Sequence, residues 1–191
     1  MDADLERRLV RRAGKGDGTA LQQLFVPHRD RAYRLAYRLT GSHADADDVL
    51  QEAWLRAFRG ISTFDGHARF GTWLYRIVLN AAADCSRRQA RANEVEGARL
   101  NEEPVADGQG PIGSAEAAEL GQALQTALHA LPWDQREALV LVAFEGMTYA
   151  QAAAVQQCAE GTLAWRVAEA RRRLARRLAP YVSGGGREDE V

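Results

Sequence analysis

Apolar residues recur at steps of three and four along most of this chain, and no run alternates apolar and polar residues as a strand would. The repeat is interrupted once, by NEVEGARLNEEPVADGQGPIGS, which has two prolines, four glycines and no sustained apolar period. This composition is typical of a linker. The sequence therefore predicts an all-α protein of two small helical domains, 1–93 and 115–182, joined by a flexible acidic linker, 94–114. Residues 183–191 are expected to form a disordered tail.

Composition excludes several classes of protein. The chain has 191 residues, a formal net charge of −1 and 46% hydrophobic residues, which is the profile of a globular protein rather than a disordered one. Its two cysteines, Cys85 and Cys158, are far apart, so a disulfide scaffold is excluded and a reducing compartment is favoured. No membrane-length apolar run and no signal-peptide pattern is present. We expect a soluble, cytoplasmic protein without membrane insertion.

Positive and negative charges are segregated along the chain. Residues 1–93 carry a net charge of +5, residues 94–131 carry −6, and residues 132–182 return to +2. Local basic blocks matter more than the total, because the binding of nucleic acid depends on the local field. Nearly all basic residues are arginine, with Lys15 the sole lysine. Biased genomic base composition explains this preference for arginine without any nucleic-acid ligand. The charge pattern alone therefore does not identify a ligand.

Three amphipathic helices are predicted in the first block. Thr19 and Gln22 form a candidate capping box that opens one long helix ending before Gly41. A second helix begins near Ala44, with acids in its first turns and this apolar stripe: Val49, Leu50, Ala53, Trp54, Ala57 and Phe58. A third begins near Thr72 and carries a polar stripe at helical spacing: Arg76, Asn80, Asp84, Arg87 and Arg91. The first block is thus predicted to be a small helical domain.

The second block ends in a helix-turn-helix pattern. Thr148 and Gln151 form a second capping box, which opens a short helix through Val155. Four residues separate it from a longer helix that is rich in arginine: Arg166, Arg171, Arg172, Arg173, Arg176 and Arg177. The second helix of such a motif is free to enter the major groove of DNA. The pattern favours DNA binding, although similar patterns occur in helical bundles that do not bind DNA.

No catalytic chemistry is visible in the sequence. It lacks a G-x-S-x-G motif, a glycine-rich phosphate loop and H-E-x-x-H, and its histidines have no metal-ligand spacing: His28, His43, His67 and His129. Cys85 and Cys158 are expected to be inert. We therefore expect no enzymatic activity, no catalytic residue, no metal site and no cofactor.

Two further patterns each have two interpretations. The cluster from Phe64 to Arg91 combines a glycine-containing aromatic loop with a helix that bears arginine and asparagine, groups that can stack on an unpaired base and read its edge. Alternatively, its aromatic residues are core and its arginines are solvated. The acidic helix start from Asp45 to Glu52 is either a binding face or a solvated face that the helix dipole stabilises.

These segments together resemble one family. ADADDVLQEAWLRAF, residues 44–58, and FDGHARFGTWLYRIVLN, residues 64–80, resemble region 2 of the extracytoplasmic-function (ECF) sigma factors of bacterial RNA polymerase, members of the sigma-70 family. A second set of residues in this chain resembles region 4 of that family: Leu131, Pro132 and Arg136, then GMTY at 146–149, Gly161, Thr162, Arg166, Val167, Ala170, Arg171 and Leu174. The matching segments cover most of the chain in the family's order, with a linker between them.

The resemblance implies three sets of binding residues. The first set would bind the clamp helices of the polymerase β′ subunit: Asp45, Asp48, Gln51 and Glu52. The second set would capture a flipped base of the −10 element and contact the nearby DNA backbone: Phe64, Arg69, Phe70, Thr72, Trp73, Arg76, Asn80, Arg87 and Arg88. The third set would bind the −35 element: Thr148, Tyr149, Glu160, Thr162, Trp165, Arg166, Glu169, Arg172 and Arg173.

The resemblance also implies partners: core RNA polymerase, including its β flap, promoter DNA and an anti-sigma factor. The chain departs from the family at Gln151-Ala152-Ala153, where Glu-Ile-Ala is common, and at Ala164-Trp165, where small polar or basic residues are frequent. Trp165 is therefore either a contact to a thymine methyl or sugar, or part of a partner surface. Two other functions stay open on the residues alone. One is a free-standing helix-turn-helix regulator that dimerises through its first domain, and the other is a helical adaptor or anti-sigma-like regulator without DNA contacts.

Overall fold

The computed structural model describes residues 2–66, 69–95 and 115–182, and these fall into two compact units, within Met1–Asn101 and within Glu102–Val191. Every regular element in these ranges is a helix, which confirms the all-α prediction. The first unit contains α1 (Ala3–Ala13), α2 (Gly18–Phe25), α3 (Arg29–Thr40), α4 (His43–Gly60) and α5 (Phe70–Val95). The second contains α6 (Ala115–His129), α7 (Trp133–Leu139), α8 (Tyr149–Val155) and α9 (Glu160–Val182). Most of the predicted linker and the predicted tail lie outside the described residues.

The single long helix predicted before Gly41 is wrong. The chain forms α2 and α3, separated by a 3-10 turn over Val26–His28. Pro27 explains the break, because it has no backbone N–H and its ring blocks the helical path of the preceding turn. The predicted cap at Thr19 is also wrong, since the Asp17 carboxylate accepts the hydrogen bond from the Ala20 N–H at 3.0 Å.

The first unit is a bundle in which α4 packs against both α3 and α5, while α1 packs against α2 and against the 3-10 turn Ile61–Thr63. Its core is aliphatic, with fully buried leucines from three helices, α2, α3 and α5: Leu21, Leu24, Leu35, Leu39, Leu74 and Leu79. Because so much leucine is withdrawn from water, the hydrophobic effect is the main source of stability in this unit. Rigid packing of α4 and α5 is what gives their outer faces a defined position.

A polar contact also joins α4 to α5. The Nε of Arg56 donates to Glu52 Oε1 at 2.7 Å, and its Nη1 lies 2.8 Å from Asp84 Oδ2. Hydrogen bonding to Arg56 lowers the pKa of Asp84. Asp84 also pairs with Arg87 on its own helix. The polar stripe predicted on α5 is therefore partly engaged with α4.

In the second unit, α9 packs against α6, α7 and α8, and it buries Leu163, Val167 and Ala170. The Nη2 of Arg136 donates to the carbonyls of His129 at 2.9 Å and Leu131 at 3.2 Å, and so closes the turn between α6 and α7. Burial lowers the pKa of Arg136 to about 10, which leaves the guanidinium charged at neutral pH. Arg136, one of the residues that resemble region 4, therefore has a structural role.

None of the helices within the described part of the chain combines the length and apolar character of a membrane span.

Candidate nucleic-acid interface

Three aromatic rings contact one another where the loop between α4 and α5 meets the start of α5. The Phe64 ring centroid lies 5.1 Å from that of Trp73, and Phe70 lies 5.6 Å from Trp73. Phe70 is fully buried, whereas Phe64 and Trp73 are half-buried. The assignment of Phe70 to the DNA-contacting set is therefore corrected, because a side chain without exposed surface cannot stack on a base. Phe70 supports the two rings that remain accessible.

The outer face of α5 continues from these rings in a polar stripe. Arg69 and Thr72 are exposed at its start, and further along the exposed residues are Arg76, Asn80, Arg87 and Arg88. Trp73, Arg76 and Asn80 share this face by helical periodicity, with Asn80 two turns beyond Trp73, about 10 Å along the axis. The structure therefore brings a half-buried indole, an amide and several guanidinium groups onto one surface.

The start of α5 is held by a residue far away in sequence. The Phe70 N–H donates to Glu6 Oε1 of α1 at 2.9 Å. Beneath it, the His28 ring packs so closely on Gly71 that a Cβ on residue 71 would lie 2.6 Å from His28 Cε1. Burial lowers the pKa of His28, and the charge of Glu6 acts in the opposite direction. The sequence interpretation missed Glu6, since no local motif connects α1 to α5.

The outer face of α4 is acidic at its start and apolar at its end. Asp48 and Gln51 are exposed, and along the same face Leu55 and Phe58 are 45% and 49% exposed. The assignment of Phe58 to the packed stripe is therefore wrong. Its position follows from helical geometry, because Phe58 lies about one turn after Leu55 and about 100° around the helix from the buried Ala57. Two exposed apolar side chains next to exposed polar ones are typical of a protein-binding surface.

Two of the predicted polymerase-binding residues have partners within the first unit. Asp45 Oδ2 accepts a hydrogen bond from Gln89 Nε2 at 2.7 Å, and Glu52 binds Arg56. Both are half-buried, whereas Asp48 and Gln51 are exposed. The exposed pair is thus better placed for an intermolecular contact, and Asp45 and Glu52 help to fix α4 against α5.

The second unit contains the predicted helix-turn-helix geometry, formed by α8 and α9. The capping box is confirmed: Gln151 N–H donates to Thr148 Oγ1 at 3.2 Å, and Thr148 N–H donates to Gln151 Oε1 at 3.0 Å. In the turn, Gln157 has a φ of 51°, and the Cys158 N–H donates to the Ala153 carbonyl at 3.0 Å. These bonds end α8 sharply and redirect the chain into α9.

The exposed face of α9 carries an aromatic residue near its start and arginines further along. Trp165 is 57% exposed, and Glu160 and Thr162 are exposed before it. One turn later, Glu169 lies 3.1 Å from Arg172 Nη2 and accepts from Arg173 Nε at 2.9 Å. Hydrogen bonding to Arg173 lowers the pKa of Glu169, so this carboxylate is ionised at neutral pH. Glu169 therefore orients both guanidinium groups on this face. Of the other three residues predicted for this interface, Thr148 is exposed, while Tyr149 and Arg166 are half-buried.

Arg166 faces α7 rather than outward. Its Nη1 donates to Gln156 Oε1 at 2.8 Å, and its Nε lies 3.1 Å from Asp134 Oδ2. Gln156 Nε2 in turn donates to the Asp134 carbonyl at 2.9 Å and to Glu137 Oε2 at 3.1 Å. Burial raises the pKa of Glu137. These contacts give Arg166 a positioning role, because they tie α9 to α7 and to the turn of the motif.

Replacing Arg166 with alanine should lower the free energy of unfolding of the second unit by about 1–2 kcal/mol. The substitution removes the hydrogen bond to Gln156 and the ion pair with Asp134, and solvent screens that ion pair in part. Arg171→Ala is the matched control, because Arg171 is exposed on the same helix. Urea unfolding followed by amide exchange in α9 measures the difference. Equal stability of the two variants would contradict the positioning role.

Within the ranges that the structure describes, no three metal-ligating side chains converge. Burial raises the pKa of Cys85, which keeps its thiol protonated at neutral pH.

The sequence matches known protein families and relatives. Residues 24–92 match the family model for Sigma-70 region 2, and residues 121–174 match that for Sigma-70, region 4. The chain is 42% identical over 171 residues to the ECF RNA polymerase sigma factor SigM of Mycobacterium tuberculosis, covering 89% of this chain and 82% of SigM. It is 31% identical over 181 residues to the ECF RNA polymerase sigma-E factor of Escherichia coli, covering 91% of this chain and 94% of that protein.

Two solved structures are also similar. One is the sigma factor RpoE from Bartonella quintana in complex with the anti-sigma factor NepR, with a TM-score of 0.69, 27% identity, and coverage of 83% of this chain and 96% of that chain. The other is CnrH in complex with the cytosolic domain of CnrY, with a TM-score of 0.65, 28% identity, and coverage of 94% and 99%.

Proposed function

The chain belongs to the ECF RNA polymerase sigma factors, and we propose that it binds core RNA polymerase through α4, captures an unpaired base of the −10 element at the α4–α5 loop, and binds the −35 element through α9. The observation that supports this proposal is the presence in one chain of two different arrangements, each suited to a different form of DNA. One is an aromatic loop beside an amide-bearing helix, and the other is a helix-turn-helix. A free-standing helix-turn-helix regulator needs only the second.

Promoter opening requires that an unpaired base is held outside the duplex. Phe64 and Trp73 present accessible ring surface at the loop, on which a flipped base stacks. Asn80 lies on the same face of α5 and supplies both a donor and an acceptor for a base edge. Arg76 and Arg87 are exposed along this helix and are placed to neutralise phosphates. Base capture therefore supplies binding energy that offsets the cost of unpairing and unstacking.

The −35 element is recognised as intact duplex in this proposal. With Arg166 turned toward α7, the exposed start of α9 presents Thr162, Ala164 and Trp165 to the groove. Such a surface favours apolar contact with a thymine methyl over bidentate readout of guanine. Arg172 and Arg173 lie further along the helix, where they contact the DNA backbone.

Replacing both Arg172 and Arg173 with glutamine should flatten the salt dependence of holoenzyme binding to −35 duplex DNA. The slope of log K against log salt should fall by about two, because each lost phosphate contact removes about one condensed counterion. Arg8→Gln with Arg11→Gln, two exposed positions on α1, is the control with the same change in charge. An unchanged slope in the Arg172 and Arg173 variant would contradict the assignment of these residues to phosphates.

Transcription in vitro tests the function as a whole. The purified chain is added to core polymerase without other sigma factors, together with a library of promoter regions from the same genome. We expect specific transcripts that depend on the chain and begin downstream of a shared −35 and −10 pair. If no promoter in the library gives a specific transcript, the proposed function is wrong.

We also propose that an anti-sigma factor controls this protein. The support is that RpoE, which is similar to this chain over most of its length, was solved in complex with the anti-sigma factor NepR. Co-expression with the product of an adjacent gene should yield a complex that does not bind core polymerase. As a transcription initiation factor, the chain needs no catalytic residue or cofactor of its own.

A further inference from the structure

We infer that Glu6 is a positioning residue for base capture: its carboxylate caps α5 and thereby fixes the loop that carries the stacking surface. The inference rests on the proposed function, since it assigns a role within the same −10 site. It also goes beyond the family match, because α1 lies before residue 24, where the match to region 2 begins.

The residue that immediately precedes α5 is an arginine, whose side chain has no hydrogen-bond acceptor. Arg69 immediately precedes the helix, and its carbonyl accepts the first helical hydrogen bonds, from Thr72 N–H at 3.0 Å and Trp73 N–H at 3.2 Å. Residues favoured at this position have a side-chain acceptor for the free N–H groups of the first turn, whereas a guanidinium has none. The carboxylate of Glu6 supplies this acceptor from another helix, at 2.9 Å from the Phe70 nitrogen.

The charge of Glu6 suits this position. The N-terminus of a helix carries a partial positive charge, so an anionic acceptor there is favoured over a neutral one. Glu6 is half-buried, and burial of its neighbours Leu9 and Ala13 holds α1 in place. The hydrogen bond is therefore screened less by solvent than one on an open surface would be.

α1 and the residue that follows it contact both ends of the loop between α4 and α5. Glu6 binds Phe70 at the end where α5 begins, and Gly14 lies against the turn that follows α4, where a Cβ on Gly14 would be 3.7 Å from the Ser62 Cα. Phe64 follows Ser62 by two residues, and Trp73 follows Phe70 by three. The rings of Phe64 and Trp73 contact each other. Loss of the Glu6 anchor frees the first turn of α5, which carries Thr72 and Trp73.

The test uses the full chain with core polymerase and three variants: Glu6→Ala, Glu6→Gln and Asp4→Ala. Asp4 is the control, because it is an exposed acid on the same helix and pairs with Arg7. Opening is measured as fluorescence of 2-aminopurine in the −10 element of duplex promoter DNA. Core binding is measured separately by competition with a labelled chain.

We expect Glu6→Ala to lower the extent of opening about five- to tenfold with core affinity unchanged within about twofold. Glu6→Gln, which keeps an acceptor oxygen, should restore most of the opening, and Asp4→Ala should match the wild type. In the free chain, amide exchange at Phe70 should accelerate about tenfold in Glu6→Ala, with amides of α3 unaffected.

The inference is overturned if Glu6→Ala opens promoters as well as the wild type. It is also overturned if opening and core binding fall together, which would indicate a general folding defect, or if Glu6→Gln gives no rescue. Failure of the wild-type chain itself to open any promoter is a different result, since it would remove the proposed function and this inference together.

Discussion

Asn80→Ala should reduce promoter opening by on the order of ten- to a hundredfold, because hydrogen bonds to a base edge account for about 1–3 kcal/mol of discrimination. Asn80 is exposed on α5, so its truncation leaves the core of the first unit intact and should not change the affinity for core polymerase. Permanganate reactivity of −10 thymines in the reconstituted holoenzyme measures the loss. Gln23→Ala is the control, because Gln23 is an exposed amide on α2.

A second template separates base capture from other effects of Asn80. An abasic nucleotide at the captured position removes the base but retains the phosphate and the sugar. If Asn80 binds that base, the abasic template should weaken the wild type and leave Asn80→Ala no weaker than before, since the two changes delete the same interaction. Full additivity of the two losses would contradict the assigned role, and equal loss of opening and core binding would do so as well.

Asp48→Lys should weaken the binding of core polymerase by about tenfold or more, since it places a cation where the proposed partner surface meets an acidic helix face. The exposure of Asp48 makes it a sharper probe than Glu52, because Glu52 is half-buried and binds Arg56, the residue that pairs with Asp84 of α5. Competition binding at fixed salt measures the change. Asp30→Lys makes the same change in charge on α3, at another exposed acid, and should leave the affinity near that of the wild type.

Leu55 extends this test to the apolar part of the same face. Apolar side chains that become buried at the centre of an interface contribute more than charges at its rim, so Leu55→Ser should weaken core binding at least as much as Asp48→Lys. Because Leu55 is 45% exposed in the free chain, the substitution costs little folding stability. Unchanged affinity in both variants would mean that the acidic start of α4 is solvated and serves only the helix dipole.

The fold was predictable from the sequence wherever local chemistry determined it. The helical repeat identified α4, α5 and α9, and the capping box at Thr148 located the start of α8 to the residue. The prediction failed at Pro27, where a continuous apolar repeat outweighed the signal of a helix-breaking residue. Periodicity reports which face is apolar, and it does not report whether the helix along that face is unbroken.

The site was predictable only in part, because residue type does not determine exposure. Phe58 and Phe70 are both phenylalanines near a helix end, yet Phe58 is 49% exposed and Phe70 is fully buried. Arg166 belongs to an arginine-rich helix, but its guanidinium faces Asp134 on α7. Glu6 acts 64 residues away from its hydrogen-bond partner, and no spacing rule connects positions so distant. These assignments depend on tertiary contacts.

The cap on α5 has a practical consequence for dissecting this protein. A fragment trimmed to the family boundary at residue 24 would keep every side chain proposed to touch the −10 strand. It would also discard α1, and with it the carboxylate at the first turn of α5 and the apolar cover that Leu9 and Ala13 provide. Weak binding of the −10 strand by such a fragment would then result from the loss of α1 and would not show that the recognition residues bind weakly. A fragment for expression should therefore begin before Ala3.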